Sequence, residues 1–232
     1  MTVLKAMQDA CVAGVALDKP DAVFGTATRE LVELGQIAQQ VADEIALAHE
    51  WSELDVLETM TGDGATTAFN LPGDYRRMLT DTQVWSSIQN TPLPLIKNRN
   101  TWLGEIIRGD VPIVARCIIY GGQFQFNPAP ADGELVKYWY QSTEIVTAAD
   151  ASTKDEFTAD TDTFRLDETL LKLGIIWKWR HTKGLPYAEH MNDYERRLSK
   201  LIAPDAGTET ISLGGEPFAA HGDQMAYPKG FS

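Results

Sequence analysis

The densest group of chemically capable side chains is acidic. Asp155, Glu156, Asp160, Asp162, Asp167 and Glu168 follow one another closely. Such a group is the best candidate for a metal or acid–base site. It lacks the glycine and the final spaced glutamate of a calcium loop. Two carboxylates are the minimum for glycoside hydrolysis, but any acidic protein supplies two. The reading adopted is a solvated loop followed by acids at a helix N-terminus, where the helix dipole favours them. His49, His181, His190 and His221 have no Cys or carboxylate neighbours at zinc spacing and read as surface or packing residues. Cys11 sits in a helical stripe and Cys117 in a strand, neither with an evident base, so both read as core thiols. Trp85, Trp102, Trp139, Trp177 and Trp179 could stack on bases or sugars. Binders of single-stranded nucleic acid also need a basic groove, so packing is the preferred role. Dinucleotide-binding, P-loop, zinc-protease and nucleophile-elbow motifs are absent. The expectation is therefore no catalytic residue, no metal and no cofactor.

The composition supports this. The chain has 232 residues, 20 Lys+Arg, 33 Asp+Glu and a formal net charge of −13. Hydrophobic residues make up 44% and charged residues 23%, ordinary for a globular protein and unlike a disordered chain. The longest apolar run, residues 170–179, is interrupted by Lys172, Gly174 and Lys178, so no membrane span is expected. The first twenty residues lack a basic start and a small-residue cleavage site, and two distant cysteines make no disulfide framework. Synthesis in a reducing cytoplasm is the expectation. The negative charge disfavours sequence-independent DNA affinity, yet an acidic wall suits a conduit through which DNA slides without sticking. The charge is also uneven. Residues 1–60 hold three basic and eleven acidic residues, whereas 165–200 hold eight basic and five acidic. Such polarity favours head-to-tail packing of copies.

Three regions follow from the periodicities. In the first, Val3, Leu4, Met7, Ala10, Cys11 and Val15 recur at helical spacing, and Pro20 cannot continue that helix. After a turn at Phe24 and Gly25, Thr26 or Thr28 is expected to cap a second helix. Its stripe is Leu31, Leu34, Ala38, Val41, Ile45 and Ala48, with Trp51 as an anchor at its end. In the second region the period becomes two. Strands are expected over 66–71, 79–85 and 93–96, and a short helix over 100–107. A hairpin of 115–120 with 123–127 is expected around Gly121 and Gly122, because paired glycines supply the positive φ of a tight turn. A strand over 134–141 places Val136, Tyr138 and Tyr140 on one face and Lys137 and Trp139 on the other. Residues 147–164 read as polar loop. In the third region, Asp167 or Thr163 opens a helix whose Leu170, Leu171, Leu173, Ile175, Ile176, Trp177 and Trp179 leave it apolar nearly all round. Such a helix is buried on several sides, either centrally or at a subunit contact. Gly184 and Pro186 mark a tight corner, with Pro186 as the first helical residue. A stripe of Tyr187, Met191, Tyr194, Leu198 and Leu201 then runs to Pro204.

The last 29 residues contain five Gly and three Pro and lack core periodicity. Within them, residues 208–213 alternate and are bracketed by glycines, which reads as a lone strand without a partner in the tail. Ordering 29 residues costs on the order of 30–60 kcal/mol, whereas burying Phe218, Tyr227 and Phe231 returns about 1.5–3 kcal/mol each. A tail that docks must therefore also pair its backbone, as an added edge strand.

Residues 157–195 resemble the C-terminal helical pair of tailed-phage head-to-tail adaptor proteins. The likeness is carried by Phe157, Asp160, Asp162, Leu166, Asp167, Glu168, Leu170, Leu171, Gly174, Trp177, Trp179, Lys183, Gly184, Leu185, Tyr187, Ala188, Glu189, Tyr194 and Glu195. The turn at Pro20, Phe24 and Gly25, the long second helix ending near Trp51, and the element Phe69, Asn70, Leu71, Pro72, Gly73, Asp74, Tyr75 are similar too. The family includes the tail tubular A adaptors of short-tailed phages and related adaptors of long-tailed phages. The resemblance implies a ring, usually of twelve copies, below the portal, a β domain facing the tail, and a C-terminal segment that grips the portal.

The resulting reading is an α+β fold. Residues 1–53 and 147–203 supply helices to one bundle, 54–146 form an inserted antiparallel β domain, and 204–232 are an extended tail. The expected function is a non-enzymatic virion protein at the capsid neck, joining portal to tail and lining part of a DNA channel without sequence-specific contact. A stopper or tail-terminator ring is the alternative of the same class, and a carbohydrate-active or carbohydrate-binding protein that of another. The expected partners are the portal protein, stopper or tail proteins, and identical copies. Thr208, Thr210, Ile211, Leu213, Phe218, Tyr227 and Phe231 are the expected portal-binding residues. Leu171, Ile175 and Trp179 are the expected subunit contacts.

Overall fold

A twenty-residue helix, α2 (Arg29–Ala48), buries Leu34, Ile37, Ala38, Val41, Ala42, Ile45 and Ala46 in a computed structural model that describes residues 1–109 and 111–205. The buried stripe is wider than the expected one, and Ala48 lies outside it. Thr28 holds the N-cap position but its side chain makes no capping bond, and the Thr26 hydroxyl donates instead to the Val23 carbonyl (2.9 Å). The threonine cap expected from the sequence is therefore not formed. The carbonyl of Thr28 accepts from the Leu31 and Val32 N–H groups. At the other end, the Trp51 indole is buried and donates to the Ile45 carbonyl (2.7 Å).

The opposing helix is α4 (Glu168–Thr182). Asp167 caps it by accepting from the Leu170 N–H (2.6 Å) and also pairs with Arg197. It packs against α2, α1 (Val3–Ala10), the π turn Cys11–Val15 and α5 (Ala188–Asp205). Two glycines allow this crowding. A Cβ on Gly174 would lie 2.2 Å from Val41 Cγ1, and one on Gly14 would lie 2.5 Å from Ile176 Cγ2. Gly184, at φ +67, turns the chain from α4 into α5. Pro186 lies two residues before the first residue of α5 rather than at it.

The β region forms two antiparallel sheets. In the first, β1 (Asp55–Thr61) pairs along its whole length with β8 (Leu135–Ser142), from Asp55 opposite Gln141 to Thr61 opposite Leu135. The other edge of β8 carries β3 (Tyr75–Met78) and β4 (Val84–Ser86), and β5 (Pro92–Leu93) follows β4. Of the strand expected over 79–85 only Val84 and Trp85 are strand, in β4; β3 ends at Met78, and the residues between hold a turn with Asp81 at φ +60. The strand expected over 93–96 shortens to β5 plus a bridge from Leu95 to Cys117. The second sheet orders β2 (Ala68–Asn70), β7 (Gln123–Asn127) and β6 (Arg116–Tyr120). The β6–β7 hairpin turns at Gly121 and Gly122, both at positive φ. Phe124 and Phe126 of one sheet and Val136, Tyr138 and Tyr140 of the other share one apolar cluster. Asp74 closes the end of β8 by accepting from the Tyr140 hydroxyl (2.8 Å) and the Ser142 hydroxyl (2.7 Å). Between β5 and β6, α3 (Arg99–Arg108) forms as expected, capped by the Asn98 side chain.

Residues 147–164 are not simply loop. β9 (Val146–Thr147), β10 (Thr153–Lys154) and β11 (Thr163–Phe164) make a third small sheet, and Thr163 bridges to Thr2. Two-residue strands are too short for a period of two to register in the sequence. Ile145, Val146, Phe157, Phe164 and Leu166 pack with the helices rather than with the larger sheets. The fold is α+β.

The α2–α4 approach makes a direct test. A methyl at 174 overlaps a β-branched side chain that has little rotamer freedom. The overpacking cost of roughly 1–3 kcal/mol outweighs the helix-propensity gain of about 1 kcal/mol from replacing glycine. Gly174→Ala is expected to lower the urea midpoint, and its cost should shrink in a Val41→Ala background. An equal cost in both backgrounds would refute the contact.

Candidate functional site

The acidic residues separate into individual structural bonds. Asp160 Oδ1 accepts from the N–H groups of Val23 (3.0 Å) and Phe24 (3.2 Å), and so holds the turn where Gly25 takes φ +85. Asp162 is buried, accepts from the Thr158 and Ala159 N–H groups (2.8 Å each) and faces Lys154 Nζ at 2.7 Å. Burial pushes its carboxyl up, but the Lys154 ammonium and the two N–H groups outweigh that and hold it below the ordinary value. Gln39 ties the same loop to α2, donating to the Asp155 carbonyl and accepting from the Phe157 N–H (3.0 Å each). Glu168 pairs with the N-terminal amine. The carboxylates of Asp160, Asp162 and Asp167 thus bind this chain's own backbone and side chains. Among the described residues, no three His, Cys, Asp or Glu are grouped to hold a metal ion.

The other reactive side chains are packed. Cys11 and Cys117 are free and buried, and burial pushes the Cys117 thiol up to about 12. His49 stands edge-on to Trp51, with Nε2 2.9 Å from Asp205 Oδ2, and His181 stands edge-on to Tyr187. No described helix is long and apolar enough to cross a membrane.

The three residues expected at subunit contacts lie inside the chain's own core. Leu171 and Ile175 are 0% exposed and Trp179 is 3% exposed, all within the chain's own helical core. Lys183 further covers the Trp179 ring at 4.7 Å. These three side chains present no surface to a neighbouring copy. An all-round apolar helix fits either a central position or an interface, and α1, α2 and α5 supply the central one. Thr208, Thr210, Ile211, Leu213, Phe218, Tyr227 and Phe231 lie outside the described residues.

Two other surfaces carry exposed apolar side chains. On the outward face of the first sheet, Leu57 lies opposite Trp139 and Trp85 opposite Lys137. Trp85 and Trp139 are 49% and 43% exposed. The second surface is α3, held to the sheet region by buried Trp102 and by Glu105 paired with Arg116. Leu103, Ile106 and Ile107 face outward there, and Val111 and Ile113 follow, also exposed. Clustered exposure of this kind marks interaction surfaces. The alternation in 134–141 already placed Trp139 on the outward face. The surface at α3 had no comparable signal, because Leu103, Ile106 and Ile107 recur at the spacing of a core stripe.

A family model described as SU10 adaptor protein matches residues 3–214. No curated protein matches the chain.

The Asp162 bonds generate a pH-dependent prediction. A carboxyl whose folded pKa is depressed contributes stability above its unfolded value, near 3.9, and loses it as pH falls through the lower folded value. Asp162→Asn is expected to cost about 1–3 kcal/mol at pH 7, the range for a buried charge-assisted bond. Urea unfolding should show the two proteins converging as the pH falls below the ordinary carboxylate range. A cost that persists unchanged in acid would reject the charge-based account.

Proposed function

The chain belongs to the SU10 adaptor protein family, a phage head-to-tail adaptor family, and from that premise we propose that its copies form a ring between portal and tail. The observation that carries the reading is the family match over residues 3–214, which spans the helical core and both larger sheets without a break. The resemblance of residues 157–195 to known adaptors supplies the finer expectations. Twelve copies stand side by side at the capsid neck, the helical part lies near the portal, and the β domain of residues 54–146 faces stopper or tail proteins. The net charge of −13 suits a channel that DNA traverses without sequence-specific contact.

Copy-to-copy contacts are assigned to exposed surfaces, because the helical core is closed within one chain. The sheet face bearing Trp85 and Trp139 and the apolar side of α3 are distinct patches on one molecule. Pairing one with the other on a neighbouring copy would be head-to-tail, the arrangement that closes into a ring. The tail, with Thr208, Thr210, Ile211, Leu213, Phe218, Tyr227 and Phe231, is assigned to the portal. Twelve-fold repetition would turn weak single contacts into firm attachment.

Electron cryomicroscopy of tailed particles tests the position. The chain should fill a ring directly below the portal. Density at the distal end of the neck would favour the stopper or terminator reading, and none at the neck would end the proposal. Removing residues 206–232, which spares the bonds of Asp205, is expected to weaken portal binding at least tenfold, the scale of about 1.4 kcal/mol. Unchanged binding would remove the tail from the portal contact.

A further inference from the structure

One part of the β region projects without cover from its own chain. Beyond α3, Val111 and Ile113 are 74% and 102% exposed. The segment that carries them is nevertheless held at both ends. Gly109 closes α3 at φ +68, with its N–H bonded to the carbonyls of Glu105 and Ile106. On the other side Ala115 is buried, and its N–H donates to Gln89 Oε1 (3.2 Å). Pro112 fixes φ between the two exposed side chains. An apolar tip restrained in this way loses less freedom on binding than a free loop does.

A projecting tip is best received by a concavity. Three grooves are candidates, and two of them are lined by several charged groups. The groove at the corner between α4 and α5 includes Arg180, Glu189 and His190, and the one near the end of α5 includes Glu53, Asp167 and Asp205. The third, of about 320 Å³, lies between the Phe24 turn and the first half of α2. Its walls include Val23, Phe24, Leu31, Val32 and Phe157, and Glu156 is its one charged lining residue. It is the groove whose chemistry matches valine and isoleucine.

Charge favours the same match. Residues 97–116, which lead into and out of the tip, hold four basic and two acidic residues. Residues 17–36 and 155–156, which form most of the apolar groove, hold six acidic and two basic. Lys97 and Arg99 on the first side are exposed and form no ion pair among the described residues. The same holds for Asp21, Glu30 and Glu156 on the second. Opposite signs of this kind guide encounter and suppress wrong pairings.

We propose that Val111 and Ile113 of one copy enter the Phe24 groove of a second copy. Tip and groove are different surfaces, so each copy can give one contact and receive one, as a closed ring requires. The inference rests on the ring reading and deepens it: the β region of one copy grips the helical part of the next. It uses neither Trp85 nor Trp139 and so is tested apart from the sheet face.

Cross-linking of the full-length protein assembled on the portal tests this. Ile113→Cys and Val32→Cys are combined in one chain and treated with a short thiol cross-linker, since Cys11 and Cys117 are buried. Both substituted side chains are exposed, so the fold is expected to be retained. A ladder of covalently linked copies is expected. Product of monomer mass alone, or no product, would overturn the inference. Ile113→Asp places a carboxylate against Glu156 in an apolar groove. It is expected to raise the concentration needed for half-assembly at least tenfold, while Ile113→Leu leaves it within about twofold. Equal assembly by Ile113→Asp and the parent protein would also overturn the contact. A ring at the neck without the ladder rejects this contact and keeps the ring reading. A ladder with no ring between portal and tail keeps the contact and rejects that position.

Discussion

The packing of α4 against three other helices is the constraint from which the rest of the molecule follows. One helix is surrounded by α1, α2 and α5, so residues from both ends of the chain must meet before any of them is stable. Close approach is possible only because Gly174 and Gly14 leave room for Val41 and Ile176. The geometry makes the helical part self-contained. It also displaces adhesive surface to the sheet face and to α3, where tryptophan and isoleucine side chains remain exposed.

The carboxylates complete this closure. Asp160 reaches back to the turn at Val23, and Asp167 joins the start of α4 to Arg197 on α5. Glu44 on α2 pairs with Lys178, and Glu33 with Lys183. Exposed pairs of this kind add little individually. Buried Asp162, with two N–H donors and a lysine, is the exception. The acidic composition thus serves two ends: a few acids bind distant backbone, and the remainder give the surface its negative field.

Much of this was legible in the residues. The stripe in α2, the glycine pair of the β6–β7 hairpin and the inward set Val136, Tyr138 and Tyr140 each repeat often enough to declare their element. The paired strands β9, β10 and β11 were not legible, because each is two residues long and is held by long-range pairing. The placement of Leu171, Ile175 and Trp179 was half legible. Periodicity says that a helix is covered all round but does not say whose side chains cover it. The apolar side of α3 posed the converse problem, since a stripe facing water has the same spacing as one facing a core.

The anchorage of Asp205 to Ser52 and His49 has a mechanical consequence. Tension applied to the C-terminal end enters the body at the waist, where the helical core gives way to β1. Force arriving there must shear several bonds at once instead of unwinding α5 one turn at a time. The pull is then shared with the segment between α2 and β1 instead of being borne by the last turn of α5 alone.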